Sequence, residues 1–342
     1  MAPTLYPWQS DAWLHLQTFR ERLPHAILFY GQAGIGKSRF AEAFAQSLLC
    51  EARMPDGHAC GACLSCGWFE QYAHPDYRRV RPEILDEDDG GDTDEGESRK
   101  TAKSSKTPSK DIRIEQVRAL ADFMNISTHR QGKRVVLLYP AEALNSASAN
   151  ALLKTLEEPP PETVFLLVSN NIERLLPTTL SRCRQFAMPM PTTAQSLAWL
   201  ATQQIDSADV WLAEQGGAPL AALALAQSGS RDVQDELLVV LMRPSVEAAL
   251  KTAERLQKVV VAELVLGVQR WLHDLCSWKL AGKIRYYPSK SKELAMLASR
   301  LSSGQLMAAV KAVEERHAIA EHPLSARLFI EDMLLDYSAL FS

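Results

Sequence analysis

The chain has 342 residues, more than twice an average domain of roughly 150, so two or three domains are expected. Hydrophobic residues make up 46%, charged residues 23%, and the net charge is −4. These values exclude wholesale disorder, a collagen-like repeat and a strongly basic nucleic-acid coat, though not a local basic patch. No run approaches the ~20 apolar residues of a membrane span, and Met1 to Tyr6 lacks the basic and apolar regions of a secretory signal. A cytoplasmic protein with no membrane partner is the expectation.

In chain order, Ala26 to Tyr30 is an apolar run that predicts a buried strand. Lys37 to Leu49 predicts a helix with Phe40, Ala41, Phe44, Ala45 and Leu48 on one face. Tyr77 to Val80 reads as a second strand. Residues 86–110 differ in composition: eight acidic residues between Asp86 and Glu97, then five basic ones between Arg99 and Lys110. Such a stretch cannot bury enough apolar surface to offset its ordering entropy, so a disordered surface loop is expected. Ile112 to Met124 and Ala143 to Leu156 read as helices. Val135 to Leu138 and Val164 to Val168 read as strands. Continuous apolar strands alternating with helices predict a parallel sheet covered on both faces over residues 1–190. Beyond 190 the strand pattern gives way to short helical pieces, among them Ala194 to Leu200 and Ala208 to Glu214. Gly216 and Gly217 interrupt them, and Pro219 opens another helix. From about Asp232 the pattern is helical to the end, including Val259 to Leu275 and Ser325 to Leu340. The expected domains are an α/β domain at 1–190, a small helical domain at 191–231 and a larger helical one at 232–342.

Three motifs carry chemistry. Gly31-Gln32-Ala33-Gly34-Ile35-Gly36-Lys37-Ser38 matches G-x-x-x-x-G-K-[ST] in full, between a predicted strand and a predicted helix. In such a P-loop the glycines let backbone N–H groups face phosphates; Lys37 would reach the β/γ-phosphates of ATP or ADP and Ser38 would hold Mg²⁺. Hydrolysis also needs a carboxylate at the end of a neighbouring strand. The strand from Val135 ends instead in Tyr139-Pro140, with Glu142 following three residues too late, so this site looks incomplete for catalysis. The second motif is Cys50, Cys60, Cys63 and Cys66. Four thiolates, three of them at C-x-x-C spacing, suit a closed tetrahedral Zn²⁺ site of structural type. His58 and His74 are possible but unnecessary substitutes, and Cys183 and Cys276 read as isolated thiols. The third is Leu180-Ser181-Arg182-Cys183-Arg184, whose arginine would be an ordinary surface residue if it stood alone.

It does not stand alone. Asn150-Ala151-Leu152-Leu153-Lys154-Thr155-Leu156-Glu157-Glu158-Pro159-Pro160, then Phe165 to Asn171, then Pro177 to Cys183 follow at short intervals. With the P-loop and the cysteine cluster, they resemble the AAA+ subunits of bacterial DNA sliding-clamp loaders over the first 190 residues. The resemblance implies an AAA+ P-loop domain with a zinc module, then a helical lid domain and an all-α collar domain. It implies a role in placing the β sliding clamp on primed DNA together with the gamma/tau and delta subunits. The acidic pair of the gamma/tau motor is replaced here by Tyr139-Pro140, and the motor's lid arginine by Pro219. Tyr6-Pro7-Trp8-Gln9 and His74-Pro75-Asp76-Tyr77 also look like the rigid end member of the arc rather than the motor. For that member the family implies that Arg182 is an arginine finger donated in trans to a neighbour's ATP. Three other readings stay open: an active motor-type ATPase, a zinc-containing nucleic-acid-binding module and a free-standing P-loop kinase.

Overall fold

The computed structural model describes residues 4–85, 108–126, 128–129, 132–229, 231–320 and 325–341. The expected disordered loop therefore lies outside the described residues over 86–107. Its far end is described. The Ser109 carbonyl accepts from the Ile84 N–H at 3.2 Å and the Ser109 N–H donates to the Glu83 carboxylate at 3.2 Å, which closes the base of the segment. The chain divides into two compact units, 1–191 and 192–342.

The first unit is built on five parallel strands, β1 (Ala26–Tyr30), β2 (Tyr77–Val80), β3 (Arg134–Leu138), β4 (Thr163–Ser169) and β5 (Arg184–Ala187), in the order β2-β3-β4-β1-β5. Leu28 lies beside Leu167, and Val136 beside Phe165. The strands β3 and β4 are buried along their whole length, as the apolar runs Val135–Leu138 and Val164–Val168 require of a sheet covered on both sides; Arg134, Thr163 and Ser169 are their buried polar ends. Phe29 on one face meets Phe40 and Phe44 of helix α2 (Lys37–Leu49), and Trp13 of α1 (Ser10–Gln17) meets the same two rings edge-on. Leu28, Val136, Phe165 and Leu167 face the other way. They share a core with Leu120 of α4 (Ile114–Asn125) and with Leu152 and Leu156 of α5 (Ser146–Glu157).

The strand β5 has a reason for escaping the hydrophobic pattern. It is an edge strand in which only Phe186 is buried. Helix α4 begins two residues later than the periodicity suggests, because Ile112 is fully buried beside the sheet as an isolated bridge to Leu144. Helix α5 begins at Ser146 because Asn145 caps it, accepting from the Ser148 N–H at 2.9 Å. Two short helices complete the unit, α3 (Leu64–Glu70) and α6 (Pro177–Leu180).

The second unit is helical throughout its described residues. Helices α7 (Thr193–Thr202), α8 (Ala208–Glu214) and α9 (Pro219–Gln227) enclose a small core of Leu200, Leu212 and Ala222. Helices α10 (Arg231–Met242), α11 (Val246–Leu256), α12 (Val261–Ala281), α13 (Ser291–Arg300), α14 (Ser303–Ile319) and α15 (Ala326–Ala339) share a larger one centred on Trp271. The Trp271 indole donates to the Tyr337 hydroxyl at 2.8 Å, which donates in turn to the Leu241 carbonyl at 2.8 Å, tying three helices together. No helix among the described residues is long and apolar enough to cross a membrane.

Candidate functional site

The P-loop runs from the end of β1 to the start of α2. Gly36 is left-handed, with φ of +85°, and a Cβ there would come within 2.5 Å of the Tyr6 ring. Glycine is therefore required twice, by the backbone and by the close approach of the N-terminal segment. That segment is fixed to the loop by polar contacts. Gln9 Nε2 donates to the Ile35 and Gly36 carbonyls at 3.1 and 3.0 Å, and the Trp8 indole donates to Ile35 at 3.0 Å. Tyr6 stacks on Trp8 at 4.8 Å, and the Arg39 guanidinium lies 4.9 Å from the Tyr6 ring centre.

Lys37 is only 3% exposed. Its ammonium donates to the Gln32 carbonyl at 2.6 Å and to Asn170 Oδ1 at 2.7 Å. Burial pulls its pKa down to about 8, against an opposing pull from the charge of Glu142. Sequence reasoning singled out Lys37, the motif that holds Gln32 and the position of Glu142, but not the contact of Lys37 with Asn170. Asn170 follows the last residue of β4, which pairs with β1, so the sheet carries it to the phosphate loop. The polar Ser169-Asn170 directly after the apolar run Val164–Val168 was the available signal. Glu142 lies in a 3₁₀ turn over Ala141–Ala143. One of its oxygens accepts from the Asn170 N–H at 2.9 Å, and the other is buried without a donor among the described residues.

At the end of β3 the Tyr139 hydroxyl accepts from Arg81 at 3.4 Å and lies 3.5 Å from the Glu42 carboxylate, which pairs with Arg79 at 3.6 Å. Burial, with the nearby Glu42 charge, pushes the phenol up to about 12, so it carries no negative charge at neutral pH. Pro140 has no side-chain donor or acceptor. Neither residue offers an ionised oxygen to a metal at this strand end.

The four cysteines meet. Cys50 follows α2, Cys60 lies in the next loop, Cys63 caps α3 and Cys66 occupies its first turn. All four sulfurs lie within 4.8 Å of one another, with Cys50–Cys63 at 3.9 Å and Cys60–Cys66 at 4.0 Å. Tetrahedral zinc with bonds of about 2.3 Å would need sulfurs about 3.8 Å apart, so the donor set fits that ion with little movement. Backbone N–H groups of Ala62 and Cys63 point at the Cys60 sulfur at 3.5 and 3.3 Å and bring its pKa down to about 6. Both candidate histidines are engaged elsewhere. His58 stacks on Trp13 at 4.4 Å. His74 Nδ1 accepts from the Asp76 N–H at 3.0 Å, so its proton sits on Nε2, 2.8 Å from Ser65 Oγ, and Ser65 donates to the Leu49 carbonyl at 2.7 Å. This chain of bonds ties the helix that carries Cys66 to the approach of β2. Cys183 is buried, and its thiol is pushed up to about 12; Cys276 is half-buried.

Arg182 lies in the turn between α6 and β5. Its guanidinium pairs with Glu157 at the end of α5 and donates to the Thr178 carbonyl at 2.7 Å and to Ser181 Oγ at 3.3 Å. These partners belong to two of the three sequence segments that carry the family resemblance. Arg184 instead opens β5, and its guanidinium lies 5.4 Å from the Phe19 ring centre.

Residues 9–192 match the family model described as "DNA polymerase III, delta subunit". The DNA polymerase III subunit delta′ of Pseudomonas aeruginosa is 38% identical over 295 residues, covering 84% of this chain and 80% of that protein. The delta′ subunit of Escherichia coli is 33% identical over 242 residues, covering 69% of this chain and 65% of that protein. The tau subunit of Escherichia coli is 34% identical over 165 residues, 48% of this chain and 22% of tau. The chain belongs to the DNA polymerase III delta′ family of clamp-loader subunits.

Proposed function

We propose that this chain is the non-hydrolysing end subunit of a clamp loader, assembled with gamma/tau and delta to place the β sliding clamp on primer–template DNA. The observation that carries the reading is the end of β3. An uncharged tyrosine and a proline stand where a motor needs acids, beside a P-loop that is otherwise whole. The loop glycines and Lys37 fit the phosphates of ATP or ADP, held as a ligand rather than turned over. Before Lys37 can face a phosphate it must leave Gln32 and Asn170. Cys50, Cys60, Cys63 and Cys66 would hold one structural zinc, with no open position for a reacting group.

In this reading Arg182 acts on a neighbouring motor. Its guanidinium rests on Glu157, a carboxylate of its own chain, with the side chain 30% exposed. At a subunit boundary, exchange of that carboxylate for a neighbour's γ-phosphate would place positive charge where negative charge develops during phosphoryl transfer. Residues 191–231 would form the lid, where Pro219 takes the place of the motor's arginine, and 232–342 the collar. The test is turnover by the purified chain. Nucleotide binding without hydrolysis is expected. Steady hydrolysis that vanishes in Lys37→Ala would overturn this reading in favour of an active motor subunit.

A further inference from the structure

The net charge of the whole chain is −4, yet residues 279–292 hold five basic side chains, Lys279, Lys283, Arg285, Lys290 and Lys292, and no acidic one. The segment runs from the last turn of α12 through the connection to the first turn of α13. Lys279, Lys283, Arg285 and Lys292 are exposed, and Lys290 is half-buried. Among the described residues, none of the four lysines has an ion-pair partner within salt-bridge distance. Several other exposed cations in this unit do, including Lys251 with Glu247, Arg255 with Glu236 and Arg327 with Glu331.

The connection is held in one shape by an unusual anchor. Asp274 is 0% exposed, and its carboxylate accepts from three consecutive backbone N–H groups, Arg285, Tyr286 and Tyr287, at 2.9, 2.9 and 2.8 Å. Asp274 is thus turned inward and bonded to the main chain, Arg285 also donates to the Gly216 carbonyl at 3.3 Å, and Glu293, which follows Lys292, is half-buried; the four lysines are left without a carboxylate partner among the described residues. Tyr286 is half-buried among Arg285 at 5.3 Å, Arg270 at 6.0 Å and His273 at 5.2 Å from its ring centre. The N-terminal end of α13 adds its partial positive charge to the same surface.

We propose that this surface binds the phosphodiester backbone of DNA directly. Five cations within fourteen residues at two helix ends, most of them exposed, suit a polymeric anion better than a small one. Four of the five cations are lysines, which meet phosphates as point charges without regard to base sequence; recognition of planar carboxylates favours the arginine fork. A loop already fixed by Asp274 loses little conformational freedom on binding.

The test uses the full chain and fluorescence anisotropy of a labelled oligothymidylate, with salt stepped between about 50 and 200 mM. Each lysine that neutralises a phosphate contributes about 0.7 to the slope of log K against log salt on a single strand. Replacing Lys279, Lys283, Lys290 and Lys292 together by Gln should flatten that slope by roughly 2–3 and weaken low-salt binding at least about tenfold. Single variants Lys283→Gln and Lys290→Gln should each remove about 0.7, which keeps the test open if the fourfold variant folds poorly. Lys251→Gln and Lys311→Gln are the controls and should change neither quantity. No binding by the wild-type chain, or a slope unmoved by the patch variants, would overturn the proposal. So would competition by polyglutamate as effective as competition by an oligonucleotide of equal charge, since the surface would then be one for an acidic protein segment.

Discussion

Asp274→Ala tests the anchor of the α12–α13 connection. The wild-type carboxylate is wholly buried and takes three N–H groups at 2.8–2.9 Å. A hydrogen bond to a charged group contributes about 1.5–3 kcal/mol, and each buried donor left without a partner costs about 1–3 kcal/mol. These values do not add in full. The N–H groups of Arg285 and Tyr286 belong to residues that keep some contact with solvent and can turn toward it; Tyr287 is buried at 3% and cannot. A net loss of about 3–4 kcal/mol follows. The second compact unit spans 192–342, a size at which each kcal/mol moves the melting temperature by about 2–4 °C. The transition of that unit should therefore fall by about 6–16 °C in calorimetry. Asp274→Asn, which keeps an acceptor but sets an NH₂ against the loop, should lie between the two. A fall of under about 2 °C for Asp274→Ala would show that the loop is held by something other than this carboxylate.

Two further outcomes follow from the same kind of reasoning. Protein purified without chelators should contain one zinc per chain, and Cys63→Ser should lose it and open residues 50–70 to protease; a metal analysis without zinc would remove the module from the account. The pKa of Lys37 is lowered to about 8 by burial, below its ordinary value of 10.5, so between those values the unfolded chain binds a proton that the native chain has released. Native stability therefore gains as pH rises through that window, and wild type should gain on Lys37→Met between about pH 8 and 10.5 in denaturant titrations. A constant difference between the two proteins across that window would show that the lysine is not desolvated.

The parts of the fold that were legible in the sequence are those where one physical demand dominates. Strands β1, β3 and β4 are covered on both faces, so apolar runs announce them, and the P-loop needs glycine for reasons of backbone geometry. The edge strand β5 buries one side chain of four and leaves no period to read. Helix α3 is seven residues long and is fixed by its cysteines and by Ser65 rather than by an apolar stripe. Spacing brought out the cysteine cluster because three of its members are close in sequence. The contact of Lys37 with Asn170 was hidden because Asn170 is 133 residues away and arrives through the pairing of β4 with β1. The pairing of Arg182 with Glu157, which spans 25 residues, is likewise a product of where α5 and α6 end.

In the proposed role Arg182 serves a neighbour's nucleotide and not this chain's own. A complex reconstituted with gamma/tau, delta and this chain should be assayed for ATPase stimulated by clamp and primed DNA, with Arg182→Ala and Arg184→Ala compared in parallel. Removing an arginine finger slows the site it serves by a factor on the order of 10³–10⁵. The Arg182→Ala complex should therefore assemble, keep its zinc and lose the contribution of one motor site, while Arg184→Ala stays near wild type. Equal ATPase and clamp loading by wild type and Arg182→Ala, with assembly confirmed, would contradict the claim and leave Arg182 as a surface arginine paired with Glu157.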